Sequence, residues 1–456
     1  MTPFALVTHT RPEDLIAFSH GQDITVAHFL ADVRQLAAAL PAGRHVLNVC
    51  TDRYRFAVGL AAALLADKVS LLPPTLTPEM VRQLKSYAPD VFCLTDQPQA
   101  LALPQFAWAD AVMARIPAGT GWPTGPCDIP ELPAAQTAAI MFTSGSTGMP
   151  VPHRKSWGEL VLSVRAEAAR LGLLDGRRHS IVATVPPQHM FGLESSVLLA
   201  LQSGAALSAA HPFYPADICS ALDAVPRPRV LVTTPVHLKV LLAAELDLPS
   251  CDLMLTATAP LAPQLAVAAQ ARLKAPLLEI YGSTETGQIA SRRTAETSAW
   301  TLFPGITLSI LEGRAWASGG HLAQSIPLGD ELEILDSGCF LLHGRMADLI
   351  NIAGKRSSLG YLNHQLNAIP GVVDGAFFMP DDVDGENVTR LMAFAVAPGM
   401  AKATLLSALR ERIDAMFMPR PLVLLDALPR NNAGKLPRSA LQALARHHRR
   451  GTSHDR

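Results

Sequence analysis

The sequence predicts an α/β protein in which strands and helices alternate over most of the chain, with a small α+β unit in the last ~110 residues. Three features predict it: recurrent short apolar runs that end in Gly- or Pro-marked polar turns, helically spaced stretches between them, and a changed pattern near the C-terminus. Taken in order, the run 138–142 leads into Thr143-Ser144-Gly145-Ser146-Thr147-Gly148, and 181–185 leads into PPQHMFG. Next, 230–232 leads into TTP, 253–255 into TATAP and 277–280 into YGSTETG. Leu160, Val164, Ala168 and Leu171 mark one helix face between these runs. Short buried strands alternating with helices imply parallel sheets, whose ligands gather at the carboxyl ends of the strands. In the last part, 372–379 and 391–397 read as strands around the acidic turn PDDVDGEN. Leu405, Leu409, Ile413 and Met416 then mark an amphipathic helix. The boundary falls in HGRMADLINIAG, near residue 346, and divides 1–345 from 346–456.

Composition narrows the function classes. A chain of 456 residues, 49% hydrophobic and 17% charged, is long and apolar enough for several folded cores. Its 38 basic and 39 acidic side chains argue against nucleic acid as a partner, because a basic face normally lifts the total charge. The uninterrupted apolar run 56–66 falls far short of the ~20 residues that span a bilayer. The first residues, MTPFALVTHTRPEDL, lack the basic start and long apolar stretch of a signal peptide. Six scattered cysteines with no CxxC pair suit neither a zinc site nor a disulfide framework. The expected location is cytoplasmic.

Four constellations carry chemistry. The residues 143–148 combine four hydroxyls with two glycines behind a strand, a composition suited to phosphate oxygens and equally to an ordinary loop. Tyr281-Gly282-Ser283-Thr284-Glu285 offers a ring for a base, a hydroxyl for phosphate and a carboxylate for Mg²⁺, or simply a buried Tyr beside a turn. Asp330 stands fifteen residues before Arg345, a pair suited to a ribose or to an exposed hairpin. Lys435, in PRNNAGK, is a point charge that can neutralise two anions brought together, or a solvated lysine.

TSGSTG, YGSTE, an Asp fifteen residues before Gly-Arg, and PRxxxGK occur once each, in this order. Together they resemble the AMP-forming adenylate ligases: acyl- and aryl-CoA synthetases, peptide-synthetase adenylation domains and beetle luciferase. The resemblance covers roughly residues 138 to 440. It implies a large N-terminal multi-sheet α/β domain and a small mobile C-terminal α+β domain. It implies attack of a carboxylate on the α-phosphate of ATP, then displacement of AMP by the thiol of coenzyme A or of a carrier-protein phosphopantetheine. Carried over, Thr143, Ser144, Gly145, Ser146, Thr147 and Gly148 grip the outer phosphates. Tyr281 stacks on adenine with Gly282 beside it, and Ala259 and Pro260 line the other side. Thr284 contacts the α-phosphate, Glu285 binds Mg²⁺, and Asp330 and Arg345 hold the ribose. Lys435 bridges the two reacting anions. His189, in the PxxHxxG segment, gates the acid pocket, which Phe191, Gly192, Thr234, Pro235, His237, Ala257 and Gly282 line.

The chain departs from the family pattern at two motif positions, and its N-terminal region is shorter than is common in the family. Val151 stands where a lysine usually follows the phosphate loop, leaving His153, Arg154 or Lys155 to supply the charge. Ala347, followed by Asp348, stands where the hinge usually carries a charge. The small, mostly apolar pocket set favours an aryl or medium acyl acid, such as a hydroxybenzoate or cinnamate, over an amino acid. The format is similar to standalone bacterial ligases of that kind. The basic run 446–450 offers a surface for an acidic acyl carrier protein. A second class stays open: a degenerate fold of this family that binds nucleotide or acid without turnover.

Overall fold

The computed structural model describes residues 2–108, 128–144, 150–336, 338–345, 349–352, 355–380, 390–413, 415–431 and 434–452. Two large sheets organise the first three-quarters of the chain. The first has six strands, in the order Pro150–Ser156, Thr137–Ser144, Val69–Leu72, His45–Asn48, Phe92–Thr95, Gln105–Ala107. Its strands pair in parallel, except that Pro150–Ser156 folds back antiparallel on Thr137–Ser144.

The second sheet has eleven strands. Its middle is parallel: Leu277–Ser283, Leu253–Thr256, Arg229–Thr233, Ser180–Ala183, Ala206–Ser208, Leu15–Ser19. All three strands Ser180–Ala183, Arg229–Thr233 and Leu253–Thr256 point into the polar segments singled out above, and their burial is nearly complete. Antiparallel strands extend it on one side through Gly287–Arg292, Trp300–Leu302, Cys339–Arg345 and Asp330–Ile334. A separate three-stranded sheet is formed by Ile306–Leu311, Arg314–Gly319 and Leu322–Pro327.

The helices follow local chemistry. Trp157–Leu171 begins with a reciprocal Ser156/Glu159 capping box and ends at Gly172 in the left-handed region. Its buried face includes Leu160, Val164 and Ala168, as the spacing predicts. The apolar run 56–66 falls in Arg53–Leu65, capped by Asp52 and buried almost all round, which is the position of a core helix. Among the described residues, no helix is long and apolar enough to cross a membrane.

In the last part of the chain, Asp374–Phe378, Met392–Val396 and Leu422–Leu424 form a small sheet. Two hydrophobic clusters there draw only on residues 350–422 and 376–445. The PDDVDGEN turn, apart from Pro380, and the boundary near residue 346 lie outside the described residues. The sequence places Leu405, Leu409, Ile413 and Met416 on one helix, but the helix spans only Lys402–Arg410. Ile413 is buried beyond its end, and Met416 sits 40% exposed in a short 3₁₀ turn, Ala415–Phe417. Period alone does not register where a helix stops when the next apolar residue is buried by other means. A similar correction applies upstream: strand Leu277–Ser283 runs through Tyr281-Gly282-Ser283, so the turn of that motif begins only at Thr284.

Candidate active site

The parallel strands bring their carboxyl ends to one edge. Ala183 pairs with Val232, Thr233 with Thr256, and Thr256 with Glu279, so Thr184, Thr234 and Ala257 leave the sheet side by side, next to the strand that continues through Tyr281. At this edge Thr184 Oγ1 lies 2.9 Å from Thr233 Oγ1 and 3.1 Å from His237 Nδ1. Thr234 caps the helix Pro235–Ala243, accepting from the main-chain N–H of His237 at 3.2 Å, and its hydroxyl also lies 3.1 Å from His237 Nδ1. His237 packs edge-on against Phe213, 5.4 Å between centroids. Burial pulls its imidazole below the ordinary histidine value.

PPQHMFG follows Thr184 and Val185 as a tight turn into a helix. Gly192 approaches so closely that a Cβ would lie 2.0 Å from the Pro186 carbonyl oxygen, which explains a glycine there. The short helix Met190–Gly192 continues into a π-helical turn, Leu193–Leu198, and Phe191 is buried. Beneath lies Arg53, fully buried. It donates to the carbonyls of Ala183 at 2.8 Å and Val185 at 2.9 Å and to Ser196 Oγ at 2.8 Å. Burial lowers it to about 10, so it stays cationic at neutral pH.

The hairpin of strands Thr137–Ser144 and Pro150–Ser156 places Thr143 opposite Val151 and Met141 opposite His153. Strand alternation sets Val151, His153 and Lys155 on one face, and Arg154 on the other. His153 Nε2 lies 2.9 Å from Thr143 Oγ1 and 3.5 Å from Glu285 Oε1. Lys155 is buried and donates to the Glu285 main-chain carbonyl at 2.7 Å. Arg154 instead reaches the Ala135 carbonyl, 3.2 Å away. Val151 is 44% exposed. Gly145, Ser146, Thr147 and Gly148 lie outside the described residues, as does the side chain of Ser144.

Tyr281 is half-buried between Trp300 and Phe340, each 5.5 Å away by ring centroids, and its hydroxyl donates to Asp330 Oδ2 at 2.6 Å. Asp330 pairs in register with Arg345 across the antiparallel strands, so the spacing of fifteen brings the two directly opposite. On the other flank, Ala257 is buried and Thr258 has φ +79°, strained backbone for a β-branched residue. The Ala259-Pro260 segment is fixed by Glu279, whose Oε1 accepts from the Leu261 N–H at 3.1 Å. Glu279 also binds Arg292 at 2.7 Å and Thr294 at 2.6 Å, and the Arg292 guanidinium lies 4.4 Å over the Trp300 ring. One buried carboxylate thus links the Ala259 segment to the aromatic group around Tyr281. Sequence reasoning missed Glu279, Arg53 and the role of Lys155. Glu279 sits two residues before Tyr281 on the same strand, a period-2 signal that could have found it.

Behind the Thr284–Glu285 turn lies a buried polar group. Gln288 Nε2 donates to Glu167 at 3.0 Å, and Ser163 donates to Glu194 at 2.8 Å. Burial raises Glu167 to about 8 and Glu194 to about 7. Glu167 therefore stays protonated in the fold while its unfolded counterpart, at the ordinary glutamate value of 4.5, ionises. As pH rises from about 5 to about 8 the unfolded chain gains, so wild type should lose up to about 1.4 kcal/mol per pH unit relative to Glu167→Gln. Thermal unfolding of both across that range checks the sign: the gap must widen upward, not downward.

The C-terminal lysine reaches this edge. Its loop is pinned by Arg430, which grips Asp374 with two bonds of 2.7 Å and donates to the Gly434 carbonyl at 2.9 Å. Asn431 and Lys435 exchange bonds of 2.8 and 2.9 Å. Gly434, at φ +74°, lies so close to Val236 that a Cβ would come within 2.7 Å of its Cγ2. Lys239 also donates to the Val373 carbonyl. The positive charge of Lys435 helps, after burial, to hold the His189 imidazole below its ordinary value. Ala347 and Asp348 lie outside the described residues, and so does the side chain of Arg345.

Similarity to known proteins extends over most of the chain. Residues 5–344 match the family described as AMP-binding enzyme. The chain is 32% identical over 306 residues to a 4-coumarate–CoA ligase of Rhodobacter capsulatus, covering 66% of this chain and 75% of that one. It is 25% identical over 357 residues to a 4-chlorobenzoate–CoA ligase of an Arthrobacter species, covering 68% and 67%. Among solved structures, ATP-bound MatB from Rhodopseudomonas palustris superposes with a TM-score of 0.79 at 20% identity, covering 95% and 96%. The o-succinylbenzoate CoA synthetase of Bacillus subtilis, with its acyl-adenylate, gives 0.80 at 18% identity, covering 97% and 99%. With the fold and the match over most of its length in agreement, this chain belongs to the AMP-binding family of adenylate-forming enzymes.

Proposed function

We propose that the protein is an ATP-dependent acid–thiol ligase. It activates an aryl or medium acyl carboxylic acid as the acyl-adenylate and passes the acyl group to a thiol of coenzyme A or of carrier-protein phosphopantetheine. The observation that carries this reading is the close approach of Gly434 to Val236, with the Lys435 charge felt at His189. A lysine far along the chain is thereby brought near His189 and the Val236 segment, among the acid-pocket candidates.

In this reading 1–345 supplies the nucleotide and acid sites, and 346–456 is a second, mobile unit that delivers Lys435 and then swings aside for the thiol. Tyr281 stacks on adenine, opposite Ala259 and Pro260. Asp330, oriented by the Tyr281 hydroxyl, and Arg345 take the ribose. Thr143 and its hairpin hold the outer phosphates, and Thr284 meets the α-phosphate. Lys435 offsets the repulsion between carboxylate and α-phosphate as they close, which lowers the barrier because that charge develops in the transition state. His189 borders the acid, together with Phe191, Gly192, Thr234, Pro235, His237, Ala257 and Gly282.

Glu285 fits magnesium. Its carboxylate is 43% exposed, and among the described residues no group of three His, Cys, Asp or Glu could hold a metal alone. A single hard oxygen ligand suits an ion carried mainly by phosphates and water. Magnesium, when bound, screens the phosphate charge. The named acids of the two relatives, 4-coumarate and 4-chlorobenzoate, support the aryl choice.

The test is carboxylate-dependent ATP–pyrophosphate exchange with Mg²⁺ across benzoates, cinnamates and fatty acids. Exchange with aryl acids, followed by AMP release with one thiol, is the expected outcome. Nucleotide binding without exchange for any acid would instead establish a binding protein.

A further inference from the structure

Lys155 is 7% exposed, on the strand that returns from the phosphate hairpin. Its Nζ makes one hydrogen bond among the described residues, 2.7 Å to the main-chain carbonyl of Glu285. An ammonium has three donors and is costly to bury, so a buried lysine normally pairs with a carboxylate. Here Glu194, Glu159 and Glu285 lie near enough to favour the charged form against burial, yet none comes within 4.0 Å as an ion pair. The same side chains, with His321 and Ser163, line a cavity of about 20 Å³, room for one water.

The direct bond therefore goes to a turn carbonyl, and that turn carries Thr284 and Glu285. Two further contacts fix the same turn: His321 Nε2 lies 2.7 Å from the Thr286 carbonyl, and His153 spans Thr143 and the Glu285 carboxylate. Lys155 is thus a strut between the hairpin and the carboxylate turn, two elements 130 residues apart in sequence. Of the three basic residues in the segment, Arg154 faces away, and His153 bonds side chains rather than backbone.

We propose that Lys155 is a positioning residue for the magnesium–phosphate site, setting the Glu285 turn at the height where its carboxylate meets an ion held on ATP. The inference rests on the ligase reading above. It assigns to a lysine inside the strand the anchoring work left open by Val151 at the loop exit.

Calorimetry with α,β-methylene-ATP tests it, with Mg²⁺ and with a chelator instead. In wild type, Mg²⁺ tightens binding. In Lys155→Met that gain should fall about tenfold, while metal-free affinity changes less than about twofold, since a hydrogen bond from a charged group is typically worth about that factor. Lys155→Gln, which keeps a polar group in the cavity, should behave like the methionine variant and stands in for it if that variant does not fold. An equal loss with and without metal, or no loss, overturns the proposal. Failure of both variants to fold assigns Lys155 to stability and overturns it too. Absence of nucleotide binding in wild type would sink the ligase reading itself, a result that needs no variant.

Discussion

Lys435→Ala should cut carboxylate-dependent ATP–pyrophosphate exchange by at least about 10²–10³-fold, the range for removing one preorganised charge from a developing anionic centre. The side chain is exposed, and bonds from Arg430 to the Gly434 carbonyl and from the Lys435 N–H to Asn431 do not involve the Lys435 side chain, so they survive truncation. The melting temperature should accordingly stay within about 1–2 °C, as for a substitution of an exposed side chain. Nucleotide binding measured by calorimetry should persist, because Tyr281, Asp330 and Thr143 lie on other elements. Exchange within threefold of wild type would remove Lys435 from the chemistry. The contrast between lost exchange and retained binding separates an enzyme from a fold that merely binds nucleotide.

The parts legible in the sequence were those whose signal is local. Apolar runs ending in polar turns gave the parallel strands, and the Asp330–Arg345 spacing matched a hairpin with the pair in register. The spacing of Leu160, Val164 and Ala168 marked the buried face of the helix Trp157–Leu171. What was not legible depends on which distant segments meet. Lys155, Glu279 and Arg53 act through main-chain acceptors or donors remote in sequence: the Glu285 carbonyl, the Leu261 N–H and the Ala183 and Val185 carbonyls. A backbone acceptor has no residue type, so no motif announces it. The overrun of the C-terminal helix has another cause: Ile413 is apolar and buried whether or not it is helical, so periodicity continued past the true end at Arg410.

Arg53→Met is the substitution expected to cost the most stability. The guanidinium is fully buried and serves three acceptors: two carbonyls at the end of strand Ser180–Ala183 and just beyond it, and Ser196 in the π-helical turn. Methionine fills much of the volume but supplies no donor, so three buried acceptors lose their partner at about 1–3 kcal/mol each before any relaxation. A net loss of about 3–5 kcal/mol is expected, which at about 2–4 °C per kcal/mol lowers the melting temperature by roughly 6–20 °C. The effect should reach function through geometry. The two carbonyls flank Thr184, whose hydroxyl meets His237 and Thr233, and Ser196 lies four residues after Gly192, whose carbonyl accepts from the Ser196 hydroxyl. Loosening this junction should raise KM for the acid more than KM for ATP, since the Tyr281 and Thr143 elements make no bond to Arg53. A melting temperature within about 2 °C of wild type would mean that water replaces the guanidinium. In that case the acid cleft does not depend on a buried cation for its shape.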